Sequence, residues 1–180
     1  MTERSELEWP GNLRAVTDRD AGDVRQLIGN CFAEYPGCVL DPDGVDAWMK
    51  TPARWYADKG GQFWVLSRPG DVGLAACVGW VPDGADRVEL KNLYVGATAR
   101  RQGLGRRLVA LVEAAARERD CATVVLWTDT RFLDAHRLYA GLGYRRTGDQ
   151  RALHDPSHSI EFCFVKRLPN VPPGGGRGPM

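Results

Sequence analysis

The spacing of apolar and polar residues along the chain predicts a mixed α/β domain. Over 20–34 and again over 103–118, apolar side chains recur every three or four positions, the period of a helix with one buried face. Over 121–127 the residues are almost all apolar, which is typical of a strand buried on both faces. Shorter apolar runs between glycines and prolines predict the remaining strands.

These patterns predict the element order β-α-α-β-β-β-α-β-α-β-β. The predicted elements are a strand at 13–16, a helix from Asp18 or Asp20 to about 34, a helix at 45–58 that Pro52 interrupts or restarts, strands at 63–67, 74–81 and 88–95, a helix from 103 to about 118, a strand at 121–127, a helix at 134–142, and strands at 144–147 and 160–166. The strand–helix–strand unit over 88–127 is expected to form a right-handed parallel crossover. Open sheets bind ligands beyond the carboxyl ends of such strands, so the turn after 95 is the expected site.

Length and composition are those of one ordinary globular domain. The 180 residues carry 24 basic and 23 acidic side chains, so no overall charge draws the chain toward DNA or an anionic membrane. Five scattered cysteines without a C-x-x-C pair argue against a disulfide framework or a zinc site and favour a reducing cytoplasm. We expect a flexible extension at 1–12, a single domain at 13–168 and a disordered Pro/Gly-rich tail at 169–180. No signal peptide or membrane-length apolar run is recognisable.

The turn between the strand at 88–95 and the following helix has the chemistry of a phosphate site. It reads Arg100-Arg101-Gln102-Gly103-Leu104-Gly105, with two more arginines at 106 and 107. Glycines allow a tight turn and a close ligand approach, and the first amides of a helix have no intrahelical partner. The third glycine of a dinucleotide fingerprint and the Gly-Lys-Ser/Thr of a P-loop are both missing. A plain helix start is the alternative reading.

The strand before this turn contains a slip in its apolar phase. Val88 and Leu90 share one face, Leu93 and Val95 share a face, and three residues separate Leu90 from Leu93. A β-bulge near Asn92 would absorb the slip and leave main-chain amides unpaired, where they could bind an oxyanion. From the pattern alone, a regular amphipathic edge strand is equally compatible.

Two segments resemble the GNAT superfamily of N-acetyltransferases. The spacing Arg-x-x-Gly-x-Gly in the turn resembles its acyl-CoA signature, and Ala135 to Tyr144 resembles its Ala-x-x-x-Tyr-x-x-x-Gly-Phe/Tyr segment. The resemblance covers about 13–168. It implies a central mixed sheet flanked by helices, a kinked strand at 88–95, acetyl-CoA as co-substrate and no metal. The implied coenzyme-binding residues are Leu93, Tyr94, Val95, Arg100, Arg101, Gln102, Gly103, Leu104, Gly105 and Arg106.

The resemblance also implies catalytic residues. Tyr139 matches the tyrosine beside the CoA sulfur and is the candidate acid, although an aromatic residue packed on its helix is the plainer reading. Glu89 leaves the core face of its strand and is the candidate base, although a solvated carboxylate paired with Lys91 is nearly as good. Many members carry an asparagine where this chain has Phe132. Three residues are possible substitutes: Asp129, Thr130 and Asp134.

Other ionisable and aromatic residues offer weaker hypotheses. A group near the C-terminus that could line an acceptor pocket or hold a metal, but reads more simply as a loop, comprises His154, Asp155, His158 and Glu161. His136 and Cys121 read as structural. Trp48, Trp55 and Tyr56 mostly predict packing, but they lie where members of the superfamily cover the acceptor site.

These observations favour an acyl-CoA-dependent N-acetyltransferase in which a primary amine attacks acetyl-CoA directly in a ternary complex. The expected acceptor is a small molecule or a peptide with an amine, and we expect neither a nucleic acid nor a membrane as a partner. The resemblance also allows a homodimer. The main alternative is a non-catalytic acyl-CoA-binding sensor of the same fold. A DNA-binding domain built on the basic turn is a second alternative, which the balanced charge disfavours.

Overall fold

A computed structural model describes residues 8–169. The helices are α1 (Ala21–Phe32), α2 (Pro52–Asp58), α3 (Leu104–Glu118) and α4 (Leu133–Gly141), and the strands are β1 (Asn12–Ala15), β2 (Gln62–Ser67), β3 (Ala76–Pro82), β4 (Arg87–Val95), β5 (Thr123–Asp129), β6 (Arg145–Ala152) and β7 (Ile160–Arg167). The predicted element order is confirmed. Most of the predicted extension at 1–12 and tail at 169–180 lies outside the described residues, although Trp9 packs against the core.

One seven-stranded sheet has the order β1-β2-β3-β4-β5-β7-β6. All its neighbouring strands are antiparallel except β4 and β5, which are parallel, as expected for the 88–127 unit. The hairpin of β6 and β7 folds back so that β7 lies beside β5. The connection from β5 through α4 therefore leads to an edge strand, and β6 lies at that edge.

Helices cover both faces of the sheet. One apolar cluster joins α3 and Tyr139 of α4 to β3, β4 and β5, and the other joins α1 and α2 to β2 and β3. The apolar stripe of α3 is the largest contribution to the first cluster. Leu108 and Val112 are completely buried there, and each such side chain contributes about 1.5–3 kcal/mol to folding.

Two differences from the predicted bounds affect the site. β5 runs from Thr123 to Asp129 rather than ending at 127, and β6 continues to Ala152 rather than ending at 147. The strand residues of β6 are almost all polar and exposed, so they carry no apolar alternation to reveal the strand. Pro52 restarts the second helix as predicted: a 3₁₀ turn at Ala47–Lys50 precedes α2.

Candidate active site

The turn before α3 has the open backbone that a phosphate cradle needs. Arg101 and Gly103 both have positive φ angles, +63° and +76°. Gly103 is the N-cap of α3, so the first amides of this 15-residue helix point toward the turn. A Cβ atom placed on Gly103 would meet nothing within 4 Å, which leaves room for a ligand. Arg101 and Arg106 are exposed, and their side chains form no hydrogen bond within residues 8–169.

A cavity of about 480 Å³ begins at this turn. Its lining combines the turn, the end of β4, the C-terminal end of α1 with the loop that follows it, and the first two turns of α4. The lining residues predicted from the sequence are Leu93, Tyr94, Val95, Arg100, Arg101, Gly103, Leu104, Gly105 and Arg106. Gln102 is the exception, because its side-chain amide donates to the carbonyl of Thr98 instead. We call this space the coenzyme cavity, since its size and lining suit a long ligand with a phosphate end.

Arg100 anchors the turn rather than offering its guanidinium to a ligand. Its Nε donates to the Val95 carbonyl at 2.8 Å, and its two terminal nitrogens donate to the carboxylate of Glu34. The Glu34 carboxylate raises the pKa of the Arg100 guanidinium, which is a sign of strong pairing. Any contact of Arg100 with a phosphate must therefore come from its main chain or follow a change of partner.

Aromatic rings form the wall of the coenzyme cavity where the superfamily often has asparagine. Phe132 lies 4.7 Å from Tyr35 and 6.0 Å from Phe32 between ring centroids. Of the three candidate substitutes, Asp134 lines the coenzyme cavity but is paired with Arg137, and Thr130 lines neither cavity. The third candidate substitute, Asp129, lines a second, smaller cavity. The wall of the coenzyme cavity is therefore apolar at Phe132.

Asp129 faces a second, smaller cavity. Burial opposes its ionisation, but hydrogen bonds from Arg131 outweigh burial and hold the pKa of this carboxyl below its usual value. Arg131 donates from Nε to one Asp129 carboxylate oxygen at 2.8 Å and from Nη2 to the other at 2.6 Å. The carboxylate is thus committed to an internal pair.

β4 contains the predicted bulge. Its pairing with β3 passes from Tyr94–Cys77 to Lys91–Gly79, so β4 has one residue more than β3 in this interval. Asn92 takes a left-handed conformation with φ of +54°. As a result, Leu93 and Val95 return to the apolar cluster that Val88 and Leu90 occupy.

The strands part at the same place. Parallel pairing of β4 with β5 ends at Leu90–Leu126, and Asn92 and Leu93 have no register partner on β3. The main chain from Asn92 onward therefore borders an opening between β4 and β5. A bulge of this kind leaves ladder groups unpaired and available to a ligand.

The second cavity, of about 100 Å³, occupies this opening and contains both predicted catalytic residues. Glu89 and Tyr139 line it, and it shares Leu93, Tyr94, Phe132 and Ala135 with the coenzyme cavity. We call it the acceptor cavity. The bulge thus lies between the two spaces.

Tyr139 is 5% exposed, and within residues 8–169 its hydroxyl has no hydrogen-bond partner. Burial raises the pKa of this hydroxyl above its ordinary value of 10.0. It therefore stays protonated at neutral pH, as a proton donor must. Its ring packs against Tyr144 and Phe164, so the plainer packing role is also present.

Glu89 accepts a hydrogen bond from Lys91 Nζ at 2.9 Å, and its side chain is 18% exposed. Arg151 Nη2 lies 3.8 Å from the same carboxylate. Glu89 therefore combines the two readings that the sequence left open, because it is paired with Lys91 and also lines the acceptor cavity.

Arg151 was missed in the sequence because its strand was predicted too short. It lies on β6, pairs with Glu161 of β7 at 2.6 Å and covers the ring of Trp127 at 4.4 Å. Trp127, Arg151 and Glu161 all line the acceptor cavity. No local signal in the sequence predicts that these three residues, each on a different strand, lie together.

The remaining sequence candidates lie elsewhere. His154 and His158 are exposed, Asp155 accepts hydrogen bonds from Ser159 within its own loop, and within residues 8–169 no three His, Cys, Asp or Glu side chains are grouped to hold a metal. His136 contacts the Asp129 carbonyl and packs beside two phenylalanines, and Cys121 is buried, so both are structural. Trp48, Trp55 and Tyr56 line neither cavity. They pack in the second apolar cluster.

Comparison with known proteins agrees with this geometry. The family model described as "Acetyltransferase (GNAT) family" matches residues 26–144. The chain belongs to the GNAT family. N-acetyltransferase 8F1 of Rattus norvegicus is 32% identical over 71% of this GNAT chain and 57% of its own length. The chain spans only about three fifths of the length of such curated relatives.

Solved structures share the GNAT fold. An acetyltransferase from Streptococcus agalactiae superposes with a TM-score of 0.74 at 16% identity, covering 89% of this chain and all of the other. A GNAT family acetyltransferase from Elizabethkingia anophelis with acetyl-CoA bound has a TM-score of 0.55 at 18% identity, covering 71% of this chain and 85% of its own. At these identities the likeness concerns the fold alone. Over residues 8–169 no helix has the length and apolar character to cross a bilayer.

Proposed function

We propose that this GNAT chain is an N-acetyltransferase that moves an acetyl group from acetyl-CoA to a primary amine. One observation carries the proposal: the coenzyme cavity and the acceptor cavity meet at the β4 bulge, with a phosphate turn in one and Tyr139 and Glu89 in the other. A thioester lying at the junction would be open to an amine from the acceptor side. Because the chain spans about three fifths of the length of its curated relatives, the proposal concerns this chain alone.

The chain's own residues supply the steps. The amides at the start of α3, with Arg101 and Arg106, hold the diphosphate, and the wall from Leu93 to Val95 and Phe132 holds the pantetheine arm. The amine nitrogen attacks the thioester carbon, and a main-chain amide at the bulge stabilises the oxyanion. The C–S bond then breaks, its electron pair stays on sulfur, and Tyr139 protonates the thiolate. Glu89, directly or through water, takes the proton that the amine nitrogen loses.

The acceptor is a small molecule or a peptide with a free amine, and the expected compartment is the cytoplasm. All five cysteines are unpaired thiols, which supports a reducing environment. A non-catalytic acyl-CoA sensor is the second candidate, and the pairing of Glu89 with Lys91 is the observation in its favour. The sensor would need the coenzyme cavity alone.

Calorimetry with acetyl-CoA, followed by thiol release in the presence of an amine panel, tests the proposal. The panel should contain free amino acids, a polyamine, an aminoglycoside and a lysine peptide, with products read by mass shift. We expect binding of CoA and acetyl-CoA and a mass gain of one acetyl group on at least one amine. Binding without turnover on any amine would favour the sensor, and absence of binding would overturn both candidates.

A further inference from the structure

The left-handed backbone at Asn92 is held from the far face of the sheet. Asn92 Nδ2 donates to the hydroxyl of Tyr56 at 2.7 Å, and Cys77 Sγ donates to the Asn92 carbonyl at 3.4 Å. Both partners belong to the apolar cluster of α1 and α2, opposite α3 and α4. The bulge that borders the two cavities is therefore fixed by residues that line neither of them.

Tyr56 is itself held rigidly. It is 1% exposed, its ring stacks on Phe63 at 4.9 Å, and Trp48 and Trp55 pack edge-on against it. The ring passes directly over Gly79 of β3, where a Cβ atom would lie 2.5 Å from it. A glycine at 79 thus lets the hydroxyl reach β4, and the surrounding rings leave it little freedom to move.

Asparagine suits this position for two reasons. It tolerates a positive φ better than most residues. Its side-chain amide can also bond to a fixed partner and so restrain its own main chain. Lys91 pairs with Glu89 and Leu93 returns to the other face, whereas the Asn92 side chain bonds to Tyr56 of α2. Removal of the Tyr56 hydroxyl would leave the left-handed backbone without this side-chain restraint.

We propose that Tyr56 is a positioning residue for acyl transfer, acting through Asn92 to hold the Leu93 amide, which has no register partner on β3, within hydrogen-bonding reach of the thioester carbonyl. The inference rests on the proposed function, because it assumes that acetyl-CoA places its thioester at the bulge. Tyr56 touches no reacting atom. Its effect is on the geometry of the group that stabilises the oxyanion, and such groups contribute in the transition state more than in coenzyme binding.

The kinetic test compares Tyr56→Phe with Tyr144→Phe. Each substitution removes a buried hydroxyl and keeps the ring, but the Tyr144 hydroxyl contacts Glu113 on the opposite face and lines neither cavity. We expect Tyr56→Phe to lower kcat about five- to fifty-fold with KM for acetyl-CoA within about two-fold, and Tyr144→Phe to change kcat less than about two-fold. Equal kcat values for both variants and the wild type would overturn the proposal.

Asn92→Gly provides a double-mutant test. Glycine adopts a positive φ without a side-chain restraint, so the Tyr56 hydroxyl has nothing to hold in this background. We expect Tyr56→Phe to change kcat less than about two-fold when combined with Asn92→Gly. An equal loss in both backgrounds would show that the hydroxyl acts by another route.

Amide NMR gives a readout that needs no acceptor. In the wild type, the Leu93 amide resonance should differ between the CoA and acetyl-CoA complexes, because only acetyl-CoA has a thioester carbonyl. In Tyr56→Phe that difference should shrink at least about two-fold, while the shifts at Gly103 to Gly105 stay the same. An unchanged difference overturns the role of Tyr56 with the proposed function intact. Absence of CoA binding by the wild type overturns the proposed function itself.

Discussion

The coenzyme cavity and the acceptor cavity are built in different ways. Most of the first comes from one continuous stretch, the end of β4 through the first turn of α3, completed by α1 and α4. The second combines residues 89–94 of β4 with residues 127–129 of β5, residues on and just before α4, and one residue each from β6 and β7, Arg151 and Glu161. The proposed coenzyme site is therefore built mainly from one local stretch of the chain, whereas the proposed acceptor site depends on how four strands come together.

Their polar groups differ as well. In the coenzyme cavity, helix amides and the side chains of Arg101 and Arg106 face outward, ready for an anionic ligand. In the acceptor cavity, each carboxylate already has a cationic partner: Glu89 with Lys91, Asp129 with Arg131 and Glu161 with Arg151. A charge pair fixes the two side chains that form it, and the opposite charges largely cancel each other's electrostatic field in the cavity. The two cavities should then respond separately to substitution, the first in affinity and the second in turnover.

Tyr139→Phe is expected to have the largest effect on this separation. It should lower kcat about ten- to a thousand-fold because sulfur loses its proton donor, while the affinity for CoA changes less than about three-fold. Stopped assays of thiol release and calorimetry with CoA measure the two quantities. Tyr144→Phe is the matched control, and unchanged turnover in Tyr139→Phe would refute the acid role.

Gly103→Val should act on the other side of the comparison. A β-branched residue is strained at a φ of +76°, so the turn should shift and lower CoA affinity about ten- to a hundred-fold. Gly70→Val is the control, since Gly70 also has a positive φ and open space but lies in the β2–β3 turn away from both cavities. If both variants bind CoA as tightly as the wild type does, the proposed phosphate site at the turn before α3 is wrong.

Glu161→Gln should have a moderate effect confined to the acceptor side. It removes the charge partner of Arg151 at 2.6 Å and frees that guanidinium to move off Trp127. We expect KM for the amine to change about three- to ten-fold in steady-state assays, with the CoA dissociation constant within about two-fold. An altered CoA affinity with unchanged amine kinetics would contradict the division between the cavities.

The smallest expected effect is on the alkaline side of the pH profile. Burial raises the pKa of Tyr139 above its ordinary value, so its hydroxyl keeps its proton as pH rises through about 10, where exposed tyrosines lose theirs. Ionisation of Tyr139 should therefore cause no fall in kcat between neutral pH and that point. Tyrosinate absorbance of the wild type minus that of Tyr139→Phe measures this directly, and a difference that grows below pH 10 would count against it.

Local patterns predicted much of this molecule because they act between near neighbours. The phase slip between Leu90 and Leu93 correctly placed the bulge, since a two-residue period leaves few ways to return both residues to one core. The turn at Gly103 was equally predictable, because a positive φ at a glycine needs no distant partner. The engagement of Arg100 by Glu34 was not readable, because 66 residues separate the two in sequence.

By itself, the sequence determined the element order, the glycine turn before α3 and the break in β4, each of which follows from backbone preferences within a few residues. Only the tertiary structure decided what surrounds that break. The insertion of β7 beside β5 brought Arg151 and Glu161 to the acceptor cavity, and the packing of α2 over Gly79 brought Tyr56 to Asn92. Such contacts depend on the closure of long loops and the docking of whole elements, and no local periodicity records them.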